Sequence, residues 1–383
     1  MRMLKIALIG AGPMGLSMAL NLHKTGRAKV VAFCDHSARV LADSLAKFTE
    51  TTGETPMAFS SYDQLIKNGK YDGVMLALSP ETQPKLAVSE MNRGKHVLCQ
   101  VPVAVTMDDC HALIKAARAN DVVFVGAEQA HCWHFFDKWR EMAAKGELGH
   151  IIFAEGEYLH YEPKWDWFVD KQTGQPVMTD DPSLSQEERY EKSWRHRVFR
   201  HPILYLPHTL NPLLTVTGGR ITKVSCFGTK EESYTSTGFQ VRDLETAMMY
   251  NDNDTVFVVK TGFTSPHGFK AGTGAHWYQI KGTKATVEWA RSEIDCPKRF
   301  DAATKEWTAE DWGVQPISDD PLLKDSGHGG VDMIPILAFL DAIQKGVKPR
   351  MDALACVELA APAIAAAESC EQGGKLIEVP SFR

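Results

Sequence analysis

The chain has 383 residues, a formal net charge of −6, 44% hydrophobic residues and 23% charged ones. That length suits two domains, each able to bury a core. The mixed, mildly acidic charge argues against nucleic-acid or anionic-membrane partners, and no apolar run is read as reaching the ~18–20 residues of a membrane span.

The first stretch, Leu4 to Gly15, is an apolar strand running into glycine-spaced Gly10-Ala11-Gly12-Pro13-Met14-Gly15 and then into a helix starting near Pro13. This is a dinucleotide-binding fingerprint. Gly10 permits the turn, Gly12 admits a pyrophosphate close to the backbone, and Gly15 lets the helix pack on the strand, its N-terminus facing the anion. A second apolar run, Val30 to Cys34, ends at Asp35, placed to hydrogen-bond an adenosine ribose diol. Asp35 should repel a 2′-phosphate, which favours NAD over NADP, with Arg39 close by as the opposing signal.

Alternating helices and strands continue to about Gly126, as a doubly wound parallel sheet requires. Ser61 opens a capping-box helix, and Gly73 to Leu78 reads as a buried strand delivering Ser79-Pro80 to the cofactor edge. The next helix ends near Arg93 at Gly94, and His96 to Cys99 brings Gln100-Val101-Pro102 to the same edge. Thr106 caps a further helix, and Val122 to Val125 closes the sheet. Residues 1–126 are thus expected to form a cofactor domain and 127–383 a second α/β domain.

In that second part, a helix over Phe135 to Ala144 precedes alternating stretches at Ile151 to Tyr158, Ile221 to Gly228 and Val256 to Gly262, which suggest a largely antiparallel sheet with one covered face. A polar insertion from about Glu162 to His201 carries Trp165, Trp167 and Trp194 and reads as a functional or mobile loop. Met333 to Gln344 and Ala353 to Ser369 read as helices, the second interrupted at Pro362. The eight cysteines are scattered without a Cys-x-x-Cys pair and read as reduced thiols. No signal-type apolar region precedes the first strand, so a cytoplasmic protein is expected.

The fingerprint, the stretch Gly94-Lys95-His96-Val97-Leu98-Cys99-Gln100-Val101-Pro102, Gly146-Glu147-Leu148-Gly149-His150-Ile151 and Gly218-Gly219-Arg220-Ile221-Thr222-Lys223-Val224 together resemble the Gfo/Idh/MocA superfamily. The resemblance implies a Rossmann domain, a C-terminal α/β domain with an open, mostly antiparallel sheet, NAD(P)-dependent hydride chemistry on sugars or cyclitols, and dimers or tetramers formed through the open sheet. Most dehydrogenases of that superfamily carry Glu-Lys-Pro where this chain has Gln100-Val101-Pro102, and their Asp-x-x-x-His pair is incomplete because Leu204 stands four before His208. Val101-Pro102, Tyr205-Leu206-Pro207-His208, Trp194-Arg195, Glu128 and Tyr158 are similar instead to the NAD-dependent family 109 glycosidases. That branch implies oxidation of a sugar at carbon 3, elimination of the aglycone after loss of the carbon 2 proton, hydration and re-reduction.

Read from the residues themselves, His208 is the best proton acceptor by its intrinsic pKa, with a structural histidine as the plain alternative. Tyr158 and Tyr205 are phenols more often found as core or rim residues. Together with the resemblance, His208 and Tyr158 are expected as acid/base groups and Tyr205 as an orienting group. Glu128 is expected to bind a sugar hydroxyl, unless it is a surface glutamate, and Trp194 and Arg195 complete the substrate side. Lys192, Arg195, Arg197 and Arg200 with His196 and His201 hint at an anionic sugar, or else form a solvated turn balanced by Asp180, Asp181, Glu187 and Glu188. His131 and His134 lie one helical turn apart without a companion ligand set, so no metal is expected. The expected function is a redox-neutral NAD-dependent glycosidase, with a net sugar or glycoside 3-dehydrogenase and a catalytically silent cofactor-binding protein as alternatives.

Overall fold

The computed structural model describes residues 3–270, 273–314, 320–324 and 326–383. Strands β1 (Leu4–Ile9), β2 (Ala28–Cys34), β3 (Met57–Phe59), β4 (Gly73–Leu76), β5 (His96–Cys99) and β6 (Phe124–Gly126) form one parallel sheet in the order β3-β2-β1-β4-β5-β6. The order reverses at β1, between β2 and β4, which opens a crevice at the carboxyl ends of these strands. Helices α1 (Pro13–Lys24), α2 (Ala38–Thr52), α3 (Tyr62–Asn68), α4 (Gln83–Asn92) and α5 (Met107–Ala119) cover its faces, and α6 (His134–Ala144) follows its last strand. Local chemistry sets the helix starts as expected: Ser61 Oγ accepts from the Gln64 amide and Thr106 Oγ1 from the Asp109 amide. The closing strand starts two residues later than its sequence suggests and ends one later, at Gly126, and the Val97 amide bonds the Val123 carbonyl just ahead of it.

The second sheet gathers β7 (Ile151–Leu159), β11 (Ile221–Gly228), β12 (Glu245–Asn251), β13 (Val256–Gly262), β14 (His276–Gly282), β15 (Ala285–Glu288), β16 (Lys298–Asp301), β17 (Glu306–Ala309) and β18 (Ile377–Glu378). Three short strands of the insertion, β8 (Asp166–Asp170), β9 (Pro176–Met178) and β10 (Tyr190–Lys192), pair separately. In the nine-stranded sheet β7 runs parallel to β13 and antiparallel to β14; the remaining pairs are antiparallel. One face, with Ala154, Ala247, Phe257, Val259, Tyr278 and Ile280, is buried under helices, while Met248, Tyr250 and Phe227 stand exposed on the other. The period-two alternation read from the sequence is therefore the alternation of a half-covered sheet.

Two C-terminal helices tie the sheets together. Met333–Lys345 sends Met333, Ile336, Phe339 and Leu340 into the core beside Met75, Leu98 and Val125 of the first sheet, and Asp341 pairs with Arg27 at 2.6 Å. Ala353–Glu371 is one continuous helix, so the expected interruption at Pro362 does not occur. Its alanine-rich surface is buried along most of its length, and that packing offsets the hydrogen bond that proline removes. This helix is also long and apolar enough by composition to cross a membrane, contrary to the sequence reading, but most of it is buried within this fold.

The insertion is an ordered unit, which corrects its reading as a loop. Its three strands and helix α7 (Trp194–Val198) enclose Trp167, Phe168, Val198 and Phe199 together with Phe239, Val241 and Phe263 from outside it. Phe199 and Phe263 stack at 4.0 Å between centroids. The polar composition conceals this core, since only a few large rings carry it.

Burial pushes His131 down to about 3 and His196 down to about 4. In the unfolded chain both take up a proton near pH 6.5, so the stability they contribute is complete above that pH and is lost as pH falls toward 4. Urea unfolding should therefore show a loss of about 1 kcal/mol per histidine for each pH unit between about 6 and 4. His196→Phe, whose ring would sit among Trp167, Phe168 and Phe239, should make that dependence shallower.

Candidate active site

At the crevice of the first sheet the fingerprint glycines meet the demands placed on them. Gly10 has φ +90°, and a Cβ there would lie 2.2 Å from the Ala77 carbonyl oxygen; a Cβ on Gly15 would lie 2.0 Å from the Gly10 oxygen. A Cβ on Gly12 would meet nothing within 4 Å, so the space beside it is open. No side chain caps the α1 N-terminus, where Pro13 and Met14 begin the helix, leaving its first amides for an anion. Asp35 directly follows β2, its carboxylate accepting from the Ala11 and Ser37 amides, both at 2.8 Å. Ser79 follows β4 and donates to Thr82 Oγ1 at 2.9 Å. The Gln100 and Pro102 carbonyls both accept from Gln83 Nε2, at 2.8 and 2.6 Å, and the Val101-Pro102 peptide is cis. Open space at Gly12, free amides and an acid at the end of β2 fit a dinucleotide.

The second half of the site is built by one close approach. Helix α8 (Pro207–Thr217) crosses the nine-stranded sheet at Gly156, where a Cβ would come within 2.3 Å of Thr209 Cγ2. Tyr158 lies two residues along β7 and shares that face, so the approach sets its ring 5.2 Å from the His208 ring. Tyr205, in the turn leading into α8, lies 6.0 Å from His208. That turn is anchored by the Ile203 amide, which donates to Glu245 Oε2 at 3.0 Å.

Glu128, just beyond β6, has no exposed surface. Its Oε1 accepts from the Ala130 amide at 2.9 Å, and its Oε2 lies 2.7 Å from His208 Nδ1 without hydrogen-bond alignment. This corrects its expected place at the cleft surface: the carboxylate stands behind the imidazole. A carboxylate facing Nδ1 favours the proton on that nitrogen and leaves Nε2 as the acceptor.

Two histidines unnoticed in the sequence complete the cluster. His276 on β14 pairs across the strands with Tyr158, its ring 4.4 Å away, and its Nδ1 lies 2.8 Å from the Tyr278 hydroxyl, which donates to the His208 carbonyl at 3.1 Å. His160 lies 4.7 Å from Tyr158. Burial pushes His160 down to about 4 and His276 well below the usual range, so both are neutral near pH 7. Burial also raises the Tyr158 phenol, which therefore keeps its proton near pH 7 and presents a hydroxyl that can donate a hydrogen bond. His328, from the His328-Gly329-Gly330 turn, has φ +51° and is raised by its hydrogen bond to Asp332.

The basic cluster does not converge. Arg197 pairs with Glu81, Arg200 with Glu231, and His201 with Glu245 and Glu371; Asp180 pairs with Lys164 instead. Arg195 joins the aromatic cluster, its guanidinium 4.5 Å from the Trp194 ring and 4.9 Å from the Trp165 ring. His201, Glu245 and Cys370 are close enough to share an ion, yet Arg242 sits on the same carboxylates and both His201 nitrogens face acids, as in a salt-bridge network. His131 is bonded to Asn211 rather than poised with His134.

Residues 4–129 match the oxidoreductase family with an NAD-binding Rossmann fold, and residues 138–383 match the glycosyl hydrolase 109 C-terminal domain. The chain belongs to the glycosyl hydrolase 109 family. A family 109 protein of Stenotrophomonas maltophilia is 22% identical, the match spanning 100% of this chain and 89% of that protein. An alpha-N-acetylgalactosaminidase of Tannerella forsythia is also 22% identical, over 99% and 86%. Among solved structures, levoglucosan dehydrogenase with NADH and L-sorbose superposes with a TM-score of 0.73 over 100% of both chains at 18% identity. An Agrobacterium radiobacter oxidoreductase with NAD+, L-tartaric acid and magnesium gives 0.71 over 98% of each at 16% identity. This family 109 member is thus an α/β protein of the Gfo/Idh/MocA type and an NAD-dependent glycosidase or sugar oxidoreductase.

Glu128→Gln keeps the shape of this family 109 site and removes the charge behind His208. Steady-state kinetics should show kcat falling by about a hundredfold or more, with KM changed far less.

Proposed function

We propose that this protein cleaves a small glycoside by a redox-neutral route in which carbon 3 of the sugar is oxidised and later restored. The observation that carries the reading is the Glu128–His208 pair facing Tyr158, with Val101 where related dehydrogenases use a lysine. Gly10, Gly12, Pro13, Met14, Gly15, Asp35, Ser79, Gln100 and Pro102 would hold NAD, the acid at Asp35 favouring it over NADP. Bound NAD supplies the hydride acceptor and donor.

The chain's own residues manage the protons. His208 Nε2 accepts the hydroxyl proton at carbon 3 and returns it at the end, while Glu128 stabilises the imidazolium between those steps. A ketone at carbon 3 acidifies the hydrogen on carbon 2, and neutral His160 is the base we assign to it. Tyr158, whose ring lies 5.2 Å from that of His208, gives its hydroxyl proton to the departing oxygen on carbon 1; water then adds at carbon 1 and returns a proton to the Tyr158 oxygen, while carbon 2 takes a proton back through His160 before carbon 3 is restored. Tyr205 bounds the sugar beside His208, and Trp194 with Arg195 line its outer side. Phe227, Met248 and Tyr250 on the exposed sheet face are the surface we assign to self-association into a dimer or tetramer.

The structural resemblance to levoglucosan dehydrogenase supports a second reading, a net dehydrogenase that exchanges its cofactor. The two are separated by following the NADH absorbance while glycosides are added, an α-N-acetylgalactosaminide first because a relative bears that name. We expect aglycone over many turnovers with no lasting NADH, and no cofactor reduction in His208→Ala. NADH accumulating in step with product would establish the dehydrogenase.

A further inference from the structure

The insertion reaches the dinucleotide crevice at three places. At its tip, Gly174 lies against the N-cap of α2: a Cβ on Gly174 would stand 2.5 Å from Ser37 Oγ, two residues beyond Asp35. Its neighbour Gln175 lies with Gly12 and Pro13 along a cavity of about 740 Å³ that runs for most of its length between α1 and α2, past Leu20, Val40 and Lys47. At its other end, Arg197 on α7 grips Glu81, in the loop after β4, through Nε at 3.1 Å to both carboxylate oxygens and Nη2 at 2.7 Å. These points fall at the adenosine, pyrophosphate and nicotinamide ends expected of a dinucleotide laid across this sheet.

We propose that the insertion is the outer wall of the dinucleotide site and holds NAD in place through turnover. Gly174 and Gln175 close the adenosine half, and the Arg197–Glu81 pair tethers the nicotinamide half. The unit can act as a wall because its own aromatic core keeps it rigid, and Phe263, at the root of the sheet, fixes it to the sugar side. The inference rests on the reading that the cofactor stays bound between cycles, since a route that returns its hydride gains nothing from releasing the carrier.

Gly174 has φ +68°, so a side chain there is disfavoured by its backbone as well as by Ser37. Arg197 and Glu81 are exposed enough to be exchanged without disturbing a core.

The test is a chase of isotopically labelled NAD. The full chain is loaded with the label, excess unlabelled NAD is added, and retained label is followed with no glycoside present. Arg197→Ala and Glu81→Ala should each release label about two- to fivefold faster, as losing one exposed forked ion pair allows. The exchanged pair Arg197→Glu with Glu81→Arg should bring release back toward the wild-type rate. Gly174→Val, which drives the tip off Ser37, should also speed release. Wild-type release in the single variants, or faster release that the exchanged pair fails to reverse, would overturn the proposal. Because the chase needs no substrate, its outcome is independent of whether the enzyme proves to be a glycosidase.

Discussion

The contact between Glu128 and His208 is the constraint on which the site depends. Glu128 follows the last strand of the parallel sheet, and His208 opens the helix laid across the antiparallel one. A buried carboxylate beside an imidazole at 2.7 Å is tolerable only while the two domains keep their places, because either group left alone would be a costly buried polar atom. The seam is held by elements that cross it. Met333–Lys345 packs into the core of the first sheet, and the Gly126 amide bonds the Met351 carbonyl. In the proposed route, hydride and proton chemistry meet at one sugar because that seam joins the crevice of β1, β2 and β4 to the face of β7.

The same logic explains why Gly156 matters to a residue it never touches. With a Cβ at Gly156, α8 would ride higher on the sheet and His208 would lift away from Tyr158 and Glu128. Tyr158, His160 and His276 then fall together through parity and register: two residues on, just past the end of β7, for His160, and direct opposition across strands for His276. Their neutral or protonated states follow from shared burial.

Much of the first domain was legible because its chemistry is local. The turn at Gly10, the acid ending β2 and the caps at Ser61 and Thr106 each depend on a few adjacent residues. Features set by distant partners were not legible. His276 lies more than a hundred residues from Tyr158 in sequence, and only the pairing of β14 with β7 brings it in. His160 left a trace, two residues beyond Tyr158 with the same parity, just past the end of β7. Glu128 was placed in the right region with the wrong outlook, because burial is a property of what packs over a residue. Pro362 suggested a break that the closing helix's packing overrides, and the arginines near α7 suggested one patch although Arg197 and Arg200 pair with separate acids and Arg195 stacks on tryptophan rings.

The central claim is that carbon 2 of the sugar loses its proton while carbon 3 is transiently a ketone. It is tested most directly by running glycoside cleavage in D2O and examining the released sugar by NMR. The account predicts deuterium at carbon 2 and retained protium at carbon 3, since the carbon 3 hydride leaves and returns within one enzyme. A released sugar with protium at carbon 2 would mean direct displacement at carbon 1 and would contradict the account.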